Sequence, residues 1–205
     1  MKNQIQLLIK NCKKRRINCI YFNSPSELLE WIKEQLLPQS TVGTGDSLSL
    51  DELGVFNLLR SEGISFLDKH QTGLSRDEKN NLYLRNFATD FFFSGVNAVS
   101  LTGEIVQIDG NGSRVAPIIW GPNKVILVAG TNKIVSTLDK ARKRARMIAA
   151  PLDVKRLNKK TPCAYTGTCQ DCKSPDRICN FFVTIGGQFD PSRMTLCIVE
   201  GNYGY

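Results

Sequence analysis

Histidine is almost absent from this chain: His70 stands alone in 205 residues, in the polar segment "DKHQTG". With no helix-spaced partner it cannot form a histidine pair around a catalytic metal, and no cysteine spacing supports a Cys–His nucleophile. Long hydrophobic runs are missing as well. No stretch of about 18 apolar residues occurs, so no segment has the length of a membrane-spanning helix. The first residues, "MKNQIQLLIKNCKKRRINC", hold a short apolar stretch that is broken by Asn11 and runs into Lys13, Lys14, Arg15 and Arg16 without a small-residue cleavage site. That is not the pattern of a secretory signal, and the expected compartment is the cytoplasm. Thiols stay reduced there, so clustered cysteines are expected as ligands or reactive groups rather than disulfides. Internal repeats, low-complexity tracts and known nucleic-acid-binding motifs are absent too, so nucleic acid is not an expected partner.

What is present is an ordinary globular composition, 41% hydrophobic and 22% charged. It suits one well-cored domain spanning 1–205. The charge balance is basic, 27 Lys plus Arg against 19 Asp plus Glu. The excess gathers in "KARKRARM" at 140–147 and "KRLNKK" at 155–160. These runs read as a solvated helix face, a dock for an acidic partner, or the rim of a site for phosphorylated or carboxylated small molecules.

Periodicity alternates along the chain. Ile5, Leu8, Ile9 and Cys12 recur at helical spacing over 2–15, and "INCIYF" follows as a short buried strand. Ser24, Pro25 and Glu27 open a helix predicted over 25–37. "STVGTG" reads as a strand. Ser49 and Glu52 fit a second capping box for a helix over "SLDELGVFNLLRSEG", with Gly63 as its stop. "ISFLD" is strand-like, and "SRDEKNNLYLRNFATDFFFSG" reads as helical with aromatics on one side. "VNAVSLTGEIVQIDGNGSR" is a hairpin turning at Thr102-Gly103, and "KVILVAG" is the all-apolar run of a central strand. "STLDKARKRARMIAA" reads as a helix that stops before Pro151. The expected fold is α/β, a mainly parallel sheet flanked by helices.

Ligands of such sheets bind at the carboxyl ends of the strands. Two glycine loops fall there. In "VGTGDS", Gly43 and Gly45 permit a tight turn with exposed N–H groups, and Asp46, Ser47 and Ser49 can bond a hydroxyl or cap the next helix. It is neither a dinucleotide fingerprint, since the third glycine is missing, nor a phosphate loop with Gly-Lys-Ser/Thr. In "VAGTNKIV", Asn132 and Lys133 would bring a positive charge to the same edge.

"VGTGDSLSLDELGVFNLL", "SGVNAVSLTGEIVQIDGNGSRVAP", "GPNKVILVAGTNKIV" and "AAPLDVKRLNKKTPCAYTGTCQDCKSPDRIC" occur in this order. Together they resemble the lactate-utilization, or LUD, domain family, in the subgroup that carries a late cysteine motif. The resemblance implies a ribose-5-phosphate isomerase and CoA-transferase-like α/β fold with an N-terminal helix and an appended cysteine loop. It implies that Gly43, Thr44, Gly45, Asp46 and Ser47 line a site for a small anionic metabolite. Thr102, Gly103, Glu104, Asn111, Arg114, Asn132 and Lys133 are implied around it. Glu104, in a Thr-Gly turn, is the candidate general base or nucleophile, as a glutamate is in CoA transferases. Some members of the family accompany iron–sulfur proteins in oxidising lactate, so redox partner proteins of that kind are expected here. Binding of a phosphorylated or CoA-linked metabolite is the alternative, and a homo-oligomer stays open.

Four of the seven cysteines crowd into "TPCAYTGTCQDCKSPDRICN", residues 161–180. Cys163, Cys169, Cys172 and Cys179 are spaced C-x5-C-x2-C-x6-C, and the central pair can reach one ion from one turn. Four thiolates suit an iron–sulfur cluster or zinc. Structural reduced cysteines are the third reading. Cys12, Cys19 and Cys197 sit in apolar contexts and are expected as buried free thiols.

Overall fold

The computed structural model describes residues 2–61 and 63–205. Helix α1 (Lys2–Lys14) buries Ile5, Leu8 and Cys12 and leads into β1 (Asn18–Phe22). Ser24 caps α2 (Pro25–Gln35) by accepting from the Glu27 N–H, as the sequence pattern requires. Strand β2 (Thr41–Thr44) is followed by α3 (Leu48–Glu52) and α4 (Val55–Ser61). Next come β3 (Ser65–Phe66), α5 (Arg76–Arg85), β4 (Phe91–Gly95), β5 (Ala98–Ser100) and β6 (Ile105–Asp109). The chain continues through α6 (Val115–Ile119), β7 (Lys124–Gly130), β8 (Ile134–Val135), α7 (Leu138–Arg144) and α8 (Ala150–Arg156). It closes with α9 (Pro162–Thr166), β9 (Phe181–Ile185) and β10 (Met194–Val199).

Six strands form one sheet in the order β1-β10-β7-β4-β2-β3, and all of its pairings are parallel. The expected α/β architecture is therefore present, with "KVILVAG" central. Alternate residues of β7 feed opposite cores, as a doubly covered strand must. Val125, Leu127 and Ala129 pack with α1 and with Val99 and Ile105, while Ile126 and Val128 pack with α2, α3 and α4. A second sheet, β8-β5-β6-β9, lies beyond α1's core and buries Ala98, Val106 and Ile108 against Ala141, Ala145 and Ala150.

Four local expectations are corrected. The cap of α3 is Ser47, which accepts from the Leu50 N–H, and not Ser49; Gly54, at φ +75°, then breaks the predicted long helix in two. "FFFSG" is not helical but forms β4, with Phe92 and Phe93 fully buried. The helix at 138 does not stop before Pro151. A π-turn at Ala145–Ala149 joins α7 to α8, and Pro151, which has no N–H to donate, follows closely on this widened turn. The last strand β10 sits between β1 and β7, in a stretch for which the sequence pattern assigns no element.

Candidate functional site

The parallel strands β2, β4 and β7 end at Thr44, Gly95 and Gly130, and the two glycine loops meet along this edge. Gly43 and Thr44 belong to β2, and the Gly45 N–H extends the ladder by donating to the Phe93 carbonyl at 2.8 Å. Glycine is needed at 45 for close approach: a Cβ there would lie 2.5 Å from Cγ of Arg114. Thr44 is buried, and its hydroxyl has no hydrogen-bond partner among the described residues.

Arg114 spends its donors on the protein. It reaches the Gly95 and Ile108 carbonyls and the side chains of Asn97 and Gln107. It brings charge to the site but few free hydrogen bonds. Lys133 is 4% exposed; its Nζ donates to Ser49 Oγ at 2.7 Å and to the Val96 carbonyl at 3.0 Å. Burial pushes its pKa down to about 7, with Arg144 and Arg114 adding to the effect. Ser49 Oγ in turn donates to the Tyr203 carbonyl at 3.1 Å. Lys69 follows β3, and burial lowers its pKa to about 8 although Asp46 opposes the shift.

Asp46 is the hub. Arg156 donates to it at 2.8 Å and, through Nε, to Asp153 at 2.8 Å, so α8 is tied to the loop after β2. Burial works against ionisation of Asp46, yet Arg156 and Lys69 hold the carboxyl below its ordinary range. The same two carboxylates help to raise the Arg156 pKa. His70, beside this cluster, is held below its usual value by burial and by Lys69, and its ring meets the edge of Phe56.

Two hollows share Asp46, Arg114 and Asp153. The smaller, about 50 Å³, is lined also by Ser49, Lys133 and Arg156. The larger, about 400 Å³, extends past Lys69, Tyr83, Asn111, Lys159 and Arg177. The edge thus offers a polar cleft with one buried and one half-buried amine and several guanidiniums, suited to an anion.

The sequence-predicted residues divide. Asp46, Ser47, Arg114 and Lys133 line the cleft, Asn111 lines its wider part, and Gly43, Thr44 and Gly45 form the strand end behind it. Asn132 bonds the Gly204 carbonyl and the Tyr203 N–H, and so holds residues 203–204 beside the site. Glu104, Thr102 and Gly103 are not brought there. Glu104 is ion-paired with Arg15 and takes hydrogen bonds from Ser100 and Thr102. Burial opposes its ionisation, but these hydroxyls and Arg15 hold its pKa low. Gly103, at φ +92°, lets this turn sit on the backbone of Asn11. Lys69, Asn97, Asp153 and Arg156 complete the cleft; Arg156 belongs to the basic run 155–160 read as a possible rim of an anion site, whereas Lys69 was not marked by any motif.

The side chains of the late cysteines have different hydrogen-bond partners. Cys163 is buried with its Sγ 3.2 Å from the Thr161 hydroxyl, whereas Cys169 accepts from Arg146 Nε at 3.4 Å. Arg177 donates to the Cys172 and Cys179 carbonyls. Cys169 and Cys172 are near enough to Cys179 to add to the burial that raises its thiol pKa. Among the described residues no three His, Cys, Asp or Glu side chains are placed to hold a metal ion. Nor is any described helix long and apolar enough to cross a membrane.

Comparison with known proteins adds a family and a fold. The family model described as the LUD domain matches residues 5–199. No curated protein matches the chain. A DUF162 family protein from Deinococcus radiodurans superposes with a TM-score of 0.51 at 16% identity, over 98% of this chain and 96% of that one. Weaker likenesses are to eIF2B beta from Chaetomium thermophilum, TM-score 0.37 and 13% identity over 57% and 44% of the two chains. Ribose 5-phosphate isomerase from Plasmodium falciparum gives 0.34 and 12% over 55% and 52%.

Proposed function

The chain belongs to the LUD domain family, and from that premise we propose that the cleft beside Asp46 binds a small anionic metabolite, a short hydroxy or oxo carboxylate of lactate-type organic-acid oxidation. One observation carries this reading. Lys133 is a buried amine and Lys69 a half-buried one at one strand edge, and among the described residues neither forms an ion pair with a carboxylate. Asp46, the main opposing charge felt by Lys69, is already paired with Arg156, and a bound carboxylate would give the amine a direct counter-charge. Lys69, with a pKa of about 8, is mostly protonated at neutral pH and serves as the cationic contact.

A phosphorylated or CoA-linked ligand is the second reading. The 400 Å³ hollow supports it, because Lys159 and Arg177 extend the basic lining beyond what a three-carbon acid needs. Thermal-shift titration at pH 7 with lactate, pyruvate, ribose 5-phosphate and CoA separates the two. Short carboxylates are expected to raise the Tm of the wild type and to lose most of that effect in Lys69→Met. A shift confined to the phosphorylated compounds favours the second reading, and no shift with any of them ends both.

This reading routes no electron-transfer step through the cysteine loop, in which Cys163 bonds Thr161 and Cys169 bonds Arg146. Iron and zinc analysis of protein purified without oxygen, with its visible spectrum, tests that part directly. Stoichiometric iron with a cluster absorption band would require the loop to rearrange around Cys163.

A further inference from the structure

We infer that Lys133 is a covalent nucleophile that forms an imine with the carbonyl carbon of a short 2-oxo acid in the smaller hollow, an inference that rests on the anion reading of the cleft. The hydrogen bonds around Nζ count in its favour. Two acceptors, Ser49 Oγ and the Val96 carbonyl, match the two N–H groups of a neutral amine and leave its lone pair unengaged. No other hydrogen bond of this amine is made within the described protein, and its remaining position lies toward the hollow it lines. The neighbouring charges act in the same direction. Arg114 and Arg144 disfavour an ammonium here, while Glu52 and Asp153 act only as weaker, opposing influences. The pKa of about 7 therefore leaves much of the amine unprotonated at neutral pH.

The surroundings suit the reaction. The backbone of Gly204 packs against Nζ, and a Cβ there would lie 3.1 Å from it, so residues 203–204 screen the amine from bulk water on that side. The hollow that Lys133 lines on the other side is about 50 Å³, and the guanidiniums of Arg114 and Arg156 line it too, the latter already paired with Asp46 and Asp153. In the step, Nζ attacks the carbonyl carbon and the C–N bond forms as the carbonyl π-bond opens onto oxygen. That oxygen is protonated by the ammonium formed on nitrogen, with Ser49 Oγ as relay. Loss of this hydroxyl as water, assisted by a second proton, gives the protonated imine. Amine, carbonyl compound and one proton become iminium and water, and nothing is oxidised or reduced.

Trapping with sodium cyanoborohydride tests the assignment, because hydride addition to the C=N bond makes the link permanent. The full chain is incubated at pH 7.5 with glyoxylate, pyruvate or 2-oxobutyrate and reductant, then examined by intact mass and peptide mapping. The expected result is one adduct per chain on Lys133 with at least one of these acids, absent in Lys133→Arg and formed several-fold more slowly in Ser49→Ala. Labelling spread over surface lysines, or no label on Lys133 with any of the three, overturns the inference. The same acids run in a thermal-shift assay keep the two readings apart: a retained Tm shift without a label leaves the anion site standing and removes only the covalent step.

Discussion

Gly45 is held in place by its neighbour's side chain. Arg114 crosses it with Cγ 2.5 Å from where a Cβ would sit, and four hydrogen-bonding partners keep the guanidinium from swinging aside. Gly45→Ala is therefore expected to cost about 1–3 kcal/mol through overpacking, read as a lower urea midpoint at unchanged m-value. It should also weaken the ligand-induced Tm shift, since Arg114 and Asp46 flank the same loop. Glu104 makes the opposite case. Its carboxylate ties the β5–β6 turn to Arg15 of the turn after α1, away from the cleft. Glu104→Gln should lower stability at pH 7 by on the order of 1–2 kcal/mol and leave the ligand response unchanged. Its folded pKa is depressed, so the wild-type advantage is complete above the ordinary value of 4.5 and fades as pH falls through the lower folded value. An advantage that persisted into strong acid would show that the ion pair is not its source.

At the scale of elements, α3 shows why local pattern misleads. Ser49 and Glu52 have the spacing of a capping box, but Ser49 Oγ is committed to Lys133 and Tyr203, and the capping falls to Ser47. Ser47→Ala should cost about 1 kcal/mol in urea unfolding, the usual worth of such a cap, whereas Ser49→Ala at the same helix should leave the capping contribution intact. The strand–helix alternation and the apolar run of β7 were enough to read the parallel sheet, because a doubly covered strand cannot disguise its composition. "FFFSG" was not readable in the same way: three phenylalanines fit a helix face or a central strand equally until pairing with β2 and β7 decides. The cleft was half legible. Glycines, Asp46 and Lys133 follow strands and so announce themselves, but Arg156 meets Asp46 across 110 positions of sequence. It does so through a helix whose π-turn lets it pass Pro151, and nothing local predicts that contact.

The molecule as a whole should carry the imprint of these two amines in the pH dependence of stability. Lys133 has a folded pKa of about 7 against the 10.5 of an ordinary lysine. Between those values the unfolded chain binds more protons than the folded one, so stability rises with pH across the window. The penalty of burying the charge is complete below about pH 7 and vanishes above about 10.5. One such lysine contributes a slope of up to about 1.4 kcal/mol per pH unit, and Lys69, with a folded value of about 8, adds the same sign over a narrower range. The charges that face Lys133, those of Arg114, Arg144, Glu52 and Asp153, are common to wild type and Lys133→Met. The difference between wild type and Lys133→Met therefore isolates it. Urea unfolding at pH 6, 7.5, 9 and 10 should find the variant more stable at the acid end, with the gap closing steadily toward pH 10. A gap that does not change with pH would mean that Lys133 keeps its proton throughout, and that its neighbours stabilise the ammonium after all.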